Sequence, residues 1–160
     1  MTLTASVAVA LILLLQPTGV PMPDFLGTWT LDEQRSASAQ QENFTGPMVL
    51  VITRTDADLV ITTRRGSQAE TINYVIEKAP DTPAVIGAGT RRAYWDGAKL
   101  VTEGAGTVQG QTVSIRATRT LNPAATEMTV ESMVAVQHGY TLRGAQTYVM
   151  VKDVYTRTAK

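Results

Sequence analysis

The sequence predicts an all-β domain, an antiparallel meander of about eight or nine strands closed into a barrel. Three observations carry this expectation. From Leu26 onward apolar residues recur with a period of two rather than 3.6. The alternating runs are rich in Val, Ile, Thr and Tyr, and turn-forming Gly, Asp, Asn and Pro separate them at short intervals. A meander of this many strands removes its exposed edges by closing on itself or by pairing two sheets, and closure is the expectation here.

Residues 1–22 come first and are not part of that pattern. The run Ala5–Leu15 is uncharged and apolar, too short to span a membrane at about 20 residues but suited to the core of a secretory signal. The first charged side chain of the chain is Asp24. Met1–Thr4 carries no Lys or Arg, and residues 16–21 hold no clean small-x-small cleavage site, so a cleaved signal and an uncut anchor both remain open. The expectation is an exported protein, periplasmic or secreted, with residues 23–160 as one domain and no integral membrane span after cleavage.

Strands are expected at Gly27–Asp32, Pro47–Thr55, Leu59–Arg65, Ala69–Glu77, Thr90–Trp95, Ala98–Glu103, Gln111–Leu121, Glu127–Val136 and Ala145–Thr156. Asp96-Gly97, flanked by Tyr94-Trp95 and Leu100-Val101, marks a two-residue hairpin in which Gly supplies positive φ. Lys78–Gly89 is a Pro- and Gly-bearing loop. Glu33–Gly46 is polar and long for a hairpin connection, open to three readings: a short helix near Gln34–Gln41, a lid across the barrel mouth, or a solvated loop. Asn43-Phe44-Thr45 matches a glycosylation acceptor. Glu103–Gly110 is glycine-rich but opens no helix and lacks the Lys-Ser/Thr of a phosphate loop, so it reads as a bulged or kinked hairpin.

Composition excludes several classes of function. Fourteen basic against fourteen acidic residues leave no net charge, which disfavours nucleic acid and anionic membrane surfaces as partners. The absence of cysteine rules out disulfides, thiolate catalysis and cysteine zinc sites. With one histidine in the chain, no metal or other cofactor is expected.

Side-chain alternation points to the interior. Along Gln111–Leu121, Val113, Ile115, Ala117 and Leu121 share one face, and Arg119 falls in that apolar register, where a charge must find a partner or reach water. Met128, Val130, Val134 and Val136 repeat the pattern, with Ser132 as the inward polar residue. Arg64-Arg65 and Arg91-Arg92 cannot both point outward within strands, because neighbours alternate faces. An inward Arg beside Trp95, Tyr94, Tyr74 or Tyr148 would suit an amphipathic anion, with aromatic walls for its body and a guanidinium for its carboxylate. Structural ion pairs at the barrel rims are the competing explanation. Arg91, Trp95, Arg119 and Tyr148 are accordingly the candidate ligand contacts. Met48–Ile52 and Tyr148–Val151 are apolar on both faces and need cover, which leaves a homodimer or a protein-binding role open.

The opening Gly27-Thr28-Trp29, followed by Leu31-Asp32, resembles the Gly-x-Trp start of lipocalin-like (calycin) barrels, and among them small exported bacterial proteins of unassigned function. The resemblance implies a barrel closed at one end by Trp29, with a basic residue of the last strand, Lys152 or Arg157, across its ring. It also implies a small hydrophobic ligand within. The rival reading is an enzyme at the barrel mouth, using His138 with Tyr140 and a carboxylate such as Glu131 or Asp153. Ser114 or Ser132 with His138 and Asp153 lacks the nucleophile-elbow motif of a hydrolase.

Overall fold

The computed structural model describes residues 22–42, 48–81, 86–137 and 146–158. Nine strands follow one another: β1 (Gly27–Leu31), β2 (Met48–Arg54), β3 (Asp58–Arg65), β4 (Gln68–Ile76), β5 (Arg91–Asp96), β6 (Lys99–Val108), β7 (Gln111–Leu121), β8 (Glu127–Gln137) and β9 (Gln146–Arg157). They close in that order into one barrel, β9 returning to pair with β1. Each expected strand is present. Strand β6 runs five residues further than its sequence suggests, because Gly104–Val108 keeps unbroken register with β7 where a bulge was expected. The hairpin after β5 is also displaced by one residue. Asp96 pairs with Lys99, and Gly97, with φ of 58°, is the first of two turn residues.

The meander departs from antiparallel pairing at one seam, where β4 and β5 run parallel through two residue pairs, Val75–Arg92 and Ile76–Ala93. A ring with an odd number of strands cannot alternate direction all the way round, so a nine-stranded barrel needs such a seam. Parallel neighbours need a crossover of about a dozen residues or more, and residues 77–90 supply it.

That crossover is fastened to the barrel by backbone hydrogen bonds from Glu77 N to Ala93 O (2.9 Å), Gly89 N to Ala105 O (2.8 Å) and Ala105 N to Thr90 O (3.0 Å). Its Ala79 and Pro80 border, with Tyr94 and Arg116, a small outer cavity. Leu100, Val101, Thr102 and Glu103 are consequently all buried, although they alternate between the two faces of β6. On the outer face the Glu103 carboxylate, 1% exposed, accepts hydrogen bonds from Arg92 Nε (2.7 Å), Arg116 Nε (2.6 Å) and the Tyr94 hydroxyl (3.0 Å). Burial alone would raise its pKa, but these three donors outweigh it and hold the carboxyl below the usual carboxylate range.

The lower half of the barrel is filled. Trp29, Ile52, Leu59, Leu100 and Met128 are each under 2% exposed and pack with Phe25, Leu31 and Ala93. Trp29 donates from Nε1 to Phe25 O (2.9 Å), and the Arg157 guanidinium lies 4.2 Å from its ring centroid. Arg157 also donates to Ala125 O (2.8 Å), Leu26 O (2.7 Å) and Asp24 O (2.5 Å), tying the segment before β1 to the end of β9. Gly27 is required beside it. Its φ is 125°, and a Cβ there would sit 3.2 Å from Arg157 Nη1. The closure expected from the Gly-x-Trp opening, with Trp29 under a basic residue of the last strand, is present, and the residue is Arg157. Lys152 points outward instead, 3.6 Å from Glu131.

The β1–β2 connection forms a 3₁₀ turn over Ser38–Gln40, shorter than a helix through Gln34–Gln41, and its first part lies along β9. Ser36 Oγ donates to Val154 O (3.1 Å) and accepts from Val154 N (2.9 Å), while Ala37 N donates to Lys152 O (3.0 Å).

Glu103→Gln should lower stability by about 3 kcal/mol, because it removes the carboxylate that pairs with Arg116 and the nearer of the two that pair with Arg92, leaving that guanidinium, among the described residues, only Glu77 at 4.0 Å. The folded carboxyl has the depressed pKa. Its contribution is therefore present above the unfolded value of about 4.3 and lost as the pH falls through the folded value. Denaturant unfolding at pH 7 should separate the two proteins, and the gap should narrow toward pH 3. A constant gap would mean that the carboxylate charge is not what stabilises the crossover.

Candidate functional site

Above the filled half the barrel opens into a cavity of about 440 Å³, within the usual range for small-molecule sites. Its wall comes from the inward positions of the strands as they approach the open end. β3 changes from Leu59 and Ile61 to Thr63, and β6 from Leu100 to Thr102, Gly104 and Gly106. β7 contributes Ala117, Ile115 and Val113. The apolar body of the cavity is interrupted by a few polar groups, which is the usual composition of a small-molecule site.

Arg119 is the most unusual of those groups. Register places it between Leu100 of β6 and Val130 of β8, where the plug ends and the cavity begins. It is 5% exposed and forms no ion pair among the described residues. Nη1 donates to Thr102 Oγ1 (2.8 Å) and, at the limit of a hydrogen bond, to Ala117 O (3.5 Å), while Nε is buried with no partner. Burial lowers its proton affinity, against the opposing influence of the Tyr74 and Tyr155 hydroxyls. Guanidinium starts so high that it remains charged at physiological pH.

Two tyrosines face this cation. Burial raises the Tyr74 pKa, opposed by the charges of Arg119 and Arg91. Burial, reinforced by the Asp153 carboxylate, raises that of Tyr155, against the charges of Arg119 and Arg65. Both phenols therefore stay neutral and can donate. Tyr155 already does so, to Met48 Sδ (3.1 Å).

In each Arg pair one member is inward. Arg91 lines the cavity near its mouth, whereas Arg92 turns out to Glu103. Arg65 approaches Tyr155, whereas Arg64 is exposed. Trp95 faces inward but beside the plug, next to Leu59 and Leu100 in a separate cavity of about 190 Å³, with Arg54 5.6 Å from its ring centroid. Tyr148 stands opposite Ala135 on the outer face of β9 and is 55% exposed, so the barrel brings together Arg91 and Arg119 but neither Trp95 nor Tyr148. Val149 and Met150 beside it are 52% and 67% exposed. Ser132 and Asp153 line the cavity, while Glu131 is outside with Lys152. His138 and Tyr140 lie outside the described residues, as does Asn43-Phe44-Thr45. Among the described residues no group of His, Asp and Glu is placed to hold a metal ion.

Thr102 and Tyr155 belong to the cavity and were not singled out by sequence. Thr102 follows an apolar pair and precedes Glu103, and only the register of β6 shows that it points at Arg119.

No protein-family model matches the sequence, and a search of curated proteins finds no match. Among solved structures, an asparagine-to-alanine variant of the fluorescent protein UnaG is similar at a TM-score of 0.49 and 15% identity, over 85% of this chain and 97% of that one. A secretory abundant heat soluble protein from Ramazzottius varieornatus is similar at 0.44 and 8%, over 84% and 95%. Human cRBP IV is similar at 0.40 and 12%, over 84% and 98%. The closed strand order, rather than any of these likenesses, establishes the barrel.

A buried guanidinium with no counter-charge costs folding free energy. Arg119→Met should therefore raise stability, by about 1–3 kcal/mol, read as a higher thermal midpoint. A lowered midpoint would show that the cation is structural.

Proposed function

We propose that the protein is a binding protein that holds one small, largely apolar ligand in the barrel and takes its single anionic group on Arg119. The observation that carries this reading is the unpaired guanidinium at the inner end of an apolar cavity. An anion entering from the mouth would find Arg119 Nε without a partner, with the neutral hydroxyls of Tyr74 and Thr102 nearby. The ligand's body would lie against Ala117, Val130 and Ile115, and Arg91 would stand near the entrance. Binding by such a site needs no cofactor and leaves the ligand unchanged. The apolar run Ala5–Leu15 supports export, and we place the binding step outside the cytoplasm.

The test pairs dodecanoate with dodecanol, which differ in the charged head. Calorimetric titration should show dodecanoate binding about tenfold or more tightly than the alcohol, since a charge-assisted hydrogen bond is worth more than a neutral one. In Arg119→Met the two should bind alike. Equal binding of both by the wild type would overturn the anionic head, and binding of neither would overturn the cavity as a ligand site for such amphiphiles.

The second reading, an interaction module, is favoured by one observation. Tyr148, Val149 and Met150 form an exposed apolar run near the start of β9. Sedimentation at rising concentration should show a monomer under the binding-protein reading, and self-association abolished by Met150→Glu under the other.

A further inference from the structure

The cavity wall carries a second buried charge, of opposite sign. Asp153 is 8% exposed and lines the same cavity as Arg119. The two stand in one row across three strands, Arg119 paired with Val130 and Val130 with Asp153, so their Cα atoms are about 10 Å apart at ~4.8 Å per strand step. They form no ion pair. Asp153 is held instead by the 3₁₀ turn, Ser38 N donating to Oδ1 (2.9 Å), its one hydrogen bond among the described residues. An ionised carboxylate accepts up to about four.

A ligand with a bare carboxylate would satisfy Arg119 and bring a second negative charge toward Asp153. A head group carrying both a carboxylate and an ammonium would satisfy both residues at once. Resting on the reading above, we propose that Asp153 is a specificity-determining residue, and that the cavity selects amphiphiles with a zwitterionic head, anion on Arg119 and cation or strong donor on Asp153, over simple monoanions. The alternative role for Asp153 is purely structural, anchoring the 3₁₀ turn through Ser38.

Asp153→Asn separates these roles, because the amide oxygen still accepts from Ser38 N while the charge is gone. The probes are laurate, Nε-lauroyl-lysine, whose head bears carboxylate and ammonium, and its Nα-acetyl derivative, in which the ammonium is replaced by a neutral amide. The wild type should bind Nε-lauroyl-lysine about tenfold more tightly than either of the others. Asp153→Asn should keep the wild-type thermal midpoint, bind laurate at least as well, and lose the preference. The acetylated probe makes the same comparison from the ligand side, so the proposal stays testable should the variant fail to fold. A wild type that binds laurate as well as Nε-lauroyl-lysine overturns the zwitterion proposal while leaving the Arg119 reading intact. A preference that survives Asp153→Asn also overturns it. A wild type that binds none of the three overturns both readings.

Discussion

Closure of an odd-numbered ring is the constraint on which the rest of the molecule depends. Nine strands cannot all be antiparallel neighbours, so one seam must be parallel, and a parallel seam demands a crossover. The chain places both at β4–β5. The described parts of the crossover lie against β5 and β6, Ala79 and Pro80 bordering a cavity with Val101, and Val101 and Glu103 become interior residues although they face away from the barrel lumen. Glu103 is tolerated there because two arginines and a tyrosine surround it. Satisfying one topological requirement thus creates a buried carboxylate, and Arg92, Arg116 and Tyr94 are placed to meet it.

Inside the barrel the same strands do two things along their length. Near Trp29 their inward side chains are large and meet across the axis, which supplies the apolar burial that a small domain without disulfides requires. Toward the open end the inward positions become Thr63, Thr102, Gly104, Gly106 and Ser132, which cannot fill the lumen. Cavity and plug are one design graded along the strands. Arg119 stands where they meet, and Arg157 over Trp29 closes the opposite end.

Much of this is written in period-two alternation. The nine strands, the inward face of β7 with Arg119 in an apolar register, and the need for one inward member of each Arg pair all follow from counting residues within a single strand. What alternation does not contain is height. Trp95 and Arg91 share the inward face of β5, yet Trp95 lies beside the plug and Arg91 beside the cavity, because depth depends on the stagger between strands. Nor does it give handedness of face where both sides are apolar. Tyr148 and Val149 read alike as sequence, and only pairing of Tyr148 with Ala135 decides which is outside. The parallel seam was hidden for a related reason: Lys78–Gly89 is legible as a loop, but whether it turns back as a hairpin or carries the chain to a parallel neighbour depends on how β4 pairs with β5.

The two buried charges of the lumen are hard to explain as structure. In a barrel with this wall, Met or Leu at residue 119 would continue the alternation of Val113, Ile115 and Ala117 without leaving Nε unpartnered. Glu103 shows how this chain treats a charge that serves the fold, with three donors in contact and almost no exposure. Arg119 and Asp153 are treated differently, each buried, each short of partners, and not paired with one another, Asp153 accepting from Ser38 N and Arg119 donating to Thr102. Groups left unsatisfied by the protein, and facing a common cavity, are best accounted for by something that enters it.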